Sequence, residues 1–181
     1  MFPKYPRRKS ARTQWCDYHA PNAYFITIAA RDFQKLFGHV SNKKMYRNAA
    51  GDMLAKTFLS IPSHFPHYHC DEWVIMPDHV HFILLRGGKT PISHFAEIKK
   101  LQRLHQMHPR QVSSLIDVLQ WYKGRTTHLY RQGVHRLGWQ PFQKKLWHRS
   151  FHDSIILSQH SLNKVRYYIR ANPKNYKRRR R

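Results

Sequence analysis

Two histidines separated by one valine, His79 and His81, stand in the otherwise apolar segment WVIMPDHVHFILL (73–85). Side chains two apart on a strand point to the same face, so this spacing presents both imidazoles together and turns Val80 to the opposite face. A polar ring buried among apolar side chains costs free energy unless it has a partner. The pair can share one cation; the alternative is two core histidines, each hydrogen-bonded to backbone.

A second group of possible metal ligands precedes that strand, in SHFPHYHCD (63–71). It contains His64, His67, His69 and Cys70, and its histidines repeat the spacing of two. No second cysteine lies close enough in sequence to complete a common structural zinc pattern. We therefore do not expect this segment to be the metal site.

The segment YYIRANP (167–173) supplies a possible nucleophile. Tyr168 and Asn172 are four residues apart and share one face of a helix, whereas Tyr167 is rotated away by about 100°. An amide oxygen can complete the ligand set of a metal held by two histidines. A phenol one turn away can then attack a metal-polarised phosphodiester. The alternative is that Tyr168 is an aromatic side chain packed on the sheet.

The charge of the chain narrows the choice of partner. Its 181 residues include 33 Lys and Arg against 9 Asp and Glu, a formal net charge of +24. Such an excess favours nucleic acid as the partner, with an anionic membrane surface as the main competitor.

No apolar run approaches the ~18 residues of a membrane span, and the N-terminus lacks a signal-peptide core. With only Cys16 and Cys70, no disulfide framework is implied. We expect a cytoplasmic, nucleoid-associated protein with no membrane partner.

The hydrophobic periodicity predicts an alternation of strands and helices in one domain, 1–181, with a basic arm at 1–16 and a basic tail at 174–181. The order β, α, β-β, α, β, α, with a central hairpin, predicts an α+β fold: a ferredoxin-like antiparallel sheet with helices packed on one face. The predicted strands are 23–30, 70–76, 79–86 and a mixed candidate at 146–157. The predicted helices are 44–61, 92–132 in two pieces broken near Pro109, and 158–173 ending near Asn172, with a loop at 133–145.

Four motifs in consistent order resemble one family. MPDHVHFILL (76–85) resembles the HUH motif of single-tyrosine transposases of the IS200/IS605 type, and the chain resembles the REP-associated tyrosine transposases more closely. The resemblance covers most of 8–175. The other motifs are RKSARTQWCDYHAPNAYFITIAARDFQKLFGHV (8–40), LWHRSFHDSII (146–156) and YYIRANP (167–173).

This resemblance implies an HUH nuclease fold and a metal-dependent endonuclease and strand transferase for single-stranded DNA at palindromic, REP-like hairpins. It makes His79 and His81 metal ligands, Asn172 the third ligand and Tyr168 the nucleophile. Cleavage would leave a 5′-phosphotyrosine and a free 3′-hydroxyl. Mg²⁺ is expected on availability, although two imidazoles suit Mn²⁺ equally well. Tyr167 beside Tyr168 leaves a shift of one residue open, and 89–111 looks longer than in the family.

The basic residues are expected to contact DNA. Lys123, Arg125 and Arg149 are predicted to contact the backbone, while the KRRRR end (177–181) either grips phosphates or is a solvated tail. By analogy with the family, an N-terminal cluster would read a short sequence beside a hairpin: Arg7, Arg8, Lys9 and Arg12. Two other functions stay open: the transposase of an IS200/IS605-type insertion sequence, and a non-catalytic basic protein that binds structured nucleic acid. The wider family includes dimers, so a homodimer is possible.

Overall fold

The computed structural model describes residues 23–87 and 113–176. The strands in these ranges are β1 (Ala23–Ala29), β2 (Gly38–Ser41), β3 (Lys44–Arg47), β4 (Tyr68–Ile75), β5 (His79–Arg86) and β6 (His152–Ile156). Four of them form one antiparallel sheet in the order β4-β5-β1-β6, and β2 and β3 form a separate hairpin. The helices are α1 (Ala49–Leu59), α2 (Ile61–His64), α3 (Leu115–Leu137) and α4 (Gln159–Asn175), with a 3-10 turn at Arg31–Phe33.

The central strands β1 and β5 have two apolar faces. Their even-numbered side chains, among them Ile26 and Phe82, join a large core with apolar residues of α1 and α3. Their odd-numbered side chains, such as Ile83, form a smaller core with Leu162 and Ile169 of α4. The α+β class, with its antiparallel sheet and its helices α1 and α3 packed together on one face, is confirmed. The last helix, α4, covers the opposite face, to which the histidines belong.

The helix predicted at 44–61 begins later than expected. Residues 44–47 are strand β3, and α1 starts after Asn48, whose side-chain oxygen accepts from the Gly51 N–H at 2.9 Å. An Asn cap satisfies one of the backbone donors that a first helical turn leaves open, so it fixes the boundary here. The short, largely exposed hairpin of β2 and β3 has too little apolar alternation for its sequence to reveal it.

Helix α3 also differs from its predicted bounds. It starts at a capping box formed by Ser114 and Asp117, and it runs five residues into the predicted loop, to Leu137. Gly138 ends it with φ +65°, a left-handed conformation that glycine adopts at little cost. The first piece of the predicted 92–132 helix and the break near Pro109 lie outside the described residues.

The C-terminal strand and helix correct two further boundaries. The strand expected at 146–157 is only His152–Ile156, because Trp147 makes a single bridge to Ala30. Helix α4 continues past Pro173 to Asn175, beyond its predicted end. Proline removes one backbone donor there, and the turn that follows is held by a hydrogen bond from the Tyr176 hydroxyl to Asp78.

None of the helices within 23–87 and 113–176 is long and apolar enough to cross a membrane.

Candidate active site

The two histidines lie at the start of β5, on the sheet face that α4 covers. In the pairing of β1 with β5, Ala29 is opposite His79 and Thr27 is opposite His81. The His81 side chain is buried, while His79 is half-buried next to the Pro77-Asp78 turn. Their ring centroids are 4.7 Å apart and the ring planes cross at 73°. The predicted same-face pair is therefore present, and Val80 belongs to the core on the opposite face.

A hydrogen bond at Nδ1 fixes each imidazole. His79 Nδ1 lies 2.6 Å from Asp78 Oδ1, and His81 Nδ1 lies 2.7 Å from Thr27 Oγ1. Metal-binding histidines are usually oriented in this way, by a carboxylate or another polar group on the ring nitrogen that does not bind the metal. The arrangement leaves Nε2 of both rings as the nitrogen for a ligand.

The surroundings of His81 and of Asp78 set the protonation of each group near pH 7. Burial, with the nearby His79, lowers the pKa of His81 to about 3, so this ring is neutral near pH 7 and keeps its lone pair. Burial works against ionisation of Asp78, but the hydrogen bond and charge of His79 outweigh it and hold the carboxyl pKa below its usual value. Asp78 is thus an anion that orients His79.

Helix α4 brings the predicted nucleophile to the histidines. The Tyr168 ring lies 5.5 Å from the His81 ring and 5.9 Å from the Phe25 ring, between centroids. His79, His81, Tyr168 and Asn172 all line one pocket of about 200 Å³. Tyr167 is 75% exposed and does not line it. The structure therefore places Tyr168, and not its neighbour, at the pocket.

Two ion pairs hold α4 against β4. Arg166 binds both carboxylate oxygens of Asp71, at 3.0 and 2.6 Å, and Arg170 binds Glu72 at 2.5 Å. The Arg166 pair is the less exposed of the two. With Ile169 buried against the sheet, these contacts fix the face of the helix that carries Tyr168.

The donors in the pocket suit a divalent cation. They are two imidazole nitrogens and the amide oxygen of Asn172, a residue that is 9% exposed. Such a mixed set fits Mn²⁺, or Mg²⁺ that keeps several waters. Within the described ranges no three His, Cys, Asp or Glu side chains form a metal-binding group. Any site here thus depends on the amide as its third protein ligand.

The second group of possible ligands has other partners. Cys70 Sγ donates to the Phe58 carbonyl oxygen at 3.2 Å, and burial raises the pKa of this thiol to about 12. His64 packs its ring against Trp121, with 4.4 Å between centroids. Both residues have structural contacts in place of a shared ligand.

The predicted DNA contacts fall in different places. Lys123 and Arg149 line a groove of about 430 Å³ with three further cationic residues, Arg131, Lys144 and Lys145. The Lys123 ammonium donates to the carbonyl oxygens of His148 and Arg149, at 2.9 and 3.1 Å, and burial lowers its pKa. Arg125 is exposed on α3 and does not line the groove. The predicted contacts of the N-terminal arm lie outside the described residues: Arg7, Arg8, Lys9 and Arg12.

Sequence reasoning missed several residues of the pocket. Asp78 directly precedes His79 in the sequence, and this position alone could have suggested a carboxylate beside the histidine pair. Asn175 follows Tyr168 by seven residues, so it falls on the same helix face once α4 is known to pass Pro173, and Tyr176 comes directly after the helix end. Thr27 and Phe33 reach the site only through strand pairing and loop packing, for which no local pattern exists.

No family model matches the chain. A search of curated proteins finds an uncharacterized protein from Haemophilus influenzae, 27% identical over 168 residues, which cover 92% of this chain and 88% of that protein.

Two solved structures are similar to this chain. One is a REP-associated tyrosine transposase bound to a REP hairpin, 18% identical, with 91% of this chain and 74% of the other covered and a TM-score of 0.46. The other is a transposase candidate from Deinococcus radiodurans R1, 14% identical, with coverage of 88% and 95% and a TM-score of 0.44. The first is of the family that the sequence motifs resemble. Because both TM-scores are modest, function is inferred below from the site itself.

Proposed function

We propose that this protein is a metal-dependent endonuclease and strand transferase for single-stranded DNA, acting at palindromic, REP-like hairpins through a 5′-phosphotyrosine intermediate. The observation that carries the proposal is the meeting of His79, His81, Asn172 and Tyr168 in one pocket of a chain with net charge +24. Two imidazoles and an amide supply a cation site, and a phenol stands beside them.

Each residue of the pocket has a role in this proposal. Nε2 of His79 and of His81, with the Asn172 amide oxygen, would hold Mg²⁺ or Mn²⁺. When bound, such an ion polarises the scissile phosphate and orients it. Asp78 and Thr27 keep the two imidazoles in the tautomer and direction that ligation needs.

The bond changes centre on Tyr168. Its hydroxyl oxygen forms a bond to phosphorus while the bond from phosphorus to the 3′ oxygen breaks. One DNA end is then joined to the protein through its 5′-phosphate, and the other end leaves as a 3′-hydroxyl. Attack of a 3′-hydroxyl on the phosphotyrosine reverses the step and reseals DNA without a nucleotide cofactor, because the covalent link retains the phosphodiester energy.

All four groups belong to one chain. Tyr168 contacts the ring of its own His81, so the proposed chemistry needs no residue from a second copy.

The genomic neighbourhood of the gene distinguishes two roles for this chemistry: action on scattered chromosomal palindromes, or transposition of the insertion sequence that encodes the protein. Palindromic repeats flanking the gene at many positions support the first function, and mobile copies with matching ends support the second.

A labelled hairpin oligonucleotide with single-stranded flanks, drawn from the palindromes nearest the gene, tests the proposal. With Mg²⁺ we expect an adduct that survives denaturation, and mass spectrometry should find the nucleotide on the peptide that contains Tyr168. EDTA should prevent it. Tight binding with no adduct in Mg²⁺ or Mn²⁺ would instead identify a non-catalytic protein that binds structured nucleic acid.

A further inference from the structure

The rim of the active-site pocket carries an aromatic side chain that the proposed chemistry does not use. Phe33 lines the same pocket as His81 and Tyr168, and 46% of its surface is exposed. A large apolar side chain so exposed at a polar pocket recovers only part of the free energy that burial would give. A partly exposed aromatic ring thus lines the same pocket as the proposed nucleophile.

The backbone at this point is also unfavourable. Asp32 and Phe33 have φ values of +55° and +52°, in the left-handed region that bulky residues rarely adopt. Strained conformations of this kind persist where the surrounding structure imposes them, and they cluster at functional sites. Exposure and an unfavourable backbone conformation therefore coincide in Phe33.

The surrounding structure does fix this turn, and it fixes it to the histidine strand. Ala30 N–H donates to the Asp78 carbonyl at 2.8 Å, and Leu36 N–H donates to the Pro77 carbonyl at 2.9 Å. On its other side, Arg31 N–H donates to the Leu146 carbonyl at 2.8 Å. Because the Pro77-Asp78 turn leads directly into His79, the backbone that carries Phe33 is held next to the strand of His79 and His81.

We infer that Phe33 is a stacking site for an unpaired DNA base beside the scissile phosphate, an inference that rests on the proposed function. A strand whose phosphate reaches Tyr168 must place a neighbouring nucleotide at the rim of the same pocket. Stacking on an aromatic ring suits any base, since every base has a π-face. Burial under a base would also remove the Phe33 ring from water.

Two polar neighbours agree with a nucleotide at this position. Asn175 lines the pocket, and its amide can donate to and accept from a base edge. Lys35 lines an adjoining groove that shares Tyr176 with the pocket, and it offers a positive charge to the next phosphate. The ligand class is thus an unpaired nucleotide, with Phe33 as its stacking partner and Asn175 as a candidate for base selection.

The test measures binding without cleavage, in a Tyr168→Phe background. The probe is oligothymidylate longer than the ~4–16 nucleotides that single-strand sites cover, with one central 2-aminopurine. Phe33→Asn should weaken binding by roughly 5- to 150-fold and reduce the fluorescence change on binding. Because Asn tolerates left-handed geometry, the melting temperature should stay level or rise. Phe33→Trp should bind like the parent.

Leu137→Asn is the matched control, because it removes an apolar side chain that is 69% exposed at the end of α3. It should not change binding. A Phe33→Asn variant with the affinity and fluorescence change of its parent would overturn the stacking site alone. A parent that fails to bind the oligothymidylate would also overturn the stacking site, and a parent that binds neither this probe nor the hairpin oligonucleotide would overturn the proposed function as well.

Discussion

At the scale of single residues, the site depends on how each imidazole is held. His79 and His81 both use Nδ1 for a neighbour within the protein, an aspartate in one case and a threonine in the other. Rings held in this way lose little freedom when Nε2 binds a cation. The two imidazoles are therefore oriented in advance for the proposed cation, which agrees with the depressed pKa that keeps His81 neutral.

Replacing His81 with Gln should remove metal dependence together with activity. Loss of one of three protein ligands should weaken Mn²⁺ binding by at least the roughly 10- to 100-fold that outer-shell mutations cost. Titration calorimetry or the Mn²⁺ electron paramagnetic resonance signal measures this directly. His64→Gln, an exposed histidine packed on Trp121, is the control and should bind Mn²⁺ like the parent. Equal Mn²⁺ affinity in the two variants would remove His81 from the site.

The buried His81 should also make the stability of the metal-free protein depend on pH. Its pKa is about 3 when folded and about 6.5 when unfolded, so below pH 6.5 the unfolded chain binds a proton that the folded chain does not. Stability should fall as pH drops from about 6.5 towards 3, by up to about 1.4 kcal/mol per pH unit from this residue. Urea unfolding in EDTA at several pH values measures this. The free energy of unfolding should depend less steeply on pH in His81→Gln than in the parent, and equal pH dependence in the two proteins would contradict the prediction.

Residue types and spacing were enough to predict the pocket's main members, because alternation in a strand and the helical repeat are local geometry. His79, His81, Tyr168 and Asn172 were found on that basis. Thr27, which holds His81, and Phe33, at the rim, come from distant segments. Their places depend on the register of β1 with β5 and on backbone contacts to the Pro77-Asp78 turn, and no sequence period encodes either.

At the scale of elements, α4 carries Tyr168, the proposed nucleophile, and the packing of α4 on β4 sets the distance from Tyr168 to the histidines. The helix is anchored by Arg166 on Asp71 and, in a more exposed pair, by Arg170 on Glu72. Small displacements of a reacting group can cost about 100-fold in rate. The ion pairs are thus expected to affect catalysis through the position of Tyr168.

Arg166→Gln and Arg170→Gln form a matched pair, since each removes one positive charge from the same helix. Arg166→Gln should slow adduct formation by roughly 10-fold, because it breaks a bidentate, mostly buried pair. Arg170→Gln should change the rate little, since exposed ion pairs contribute about 0–1 kcal/mol. Single-turnover rates at saturating DNA separate this effect from binding. Equal losses of rate in the two variants would mean that the rate depends on the positive charge of the helix and not on the Arg166–Asp71 pair.

Element types were easier to predict than their ends. The β-β hairpin with the histidines and the C-terminal helix follow from strong patterns. The end of α4 was misplaced because the preference against helix before proline was outweighed by contacts of the last turn, including Tyr176 with Asp78. That single error hid Asn175 and Tyr176 from the predicted site.

At the scale of the whole molecule, the net charge of +24 is expected to govern the proposed encounter with DNA. One groove between α3 and residues 144–149 gathers lysines and arginines, with no acidic residue in its lining. Cations that contact phosphates release counterions, which makes affinity fall with salt. The groove is a candidate for this sequence-independent part of binding.

Replacing Lys144 and Lys145 together with Gln should weaken hairpin binding and flatten its salt dependence. Both side chains are exposed in the groove. If each contacts one phosphate, the slope of log affinity against log salt should become less negative by about 1.4 to 1.8 in all. Replacing the exposed Lys43 and Lys44 of the β2-β3 hairpin is the charge-matched control. The same slope change in both double variants would remove any special role of the groove.

The central claim is that Tyr168 attacks the scissile phosphate at a metal site formed by His79, His81 and Asn172. Adduct formation on hairpin DNA by Tyr168→Phe, beside Tyr167→Phe, tests it most directly. We expect Tyr168→Phe to form no covalent adduct while keeping its DNA affinity, and Tyr167→Phe to form adduct at the rate of the unmodified protein. Adduct formed by Tyr168→Phe, or lost only in Tyr167→Phe, would contradict it.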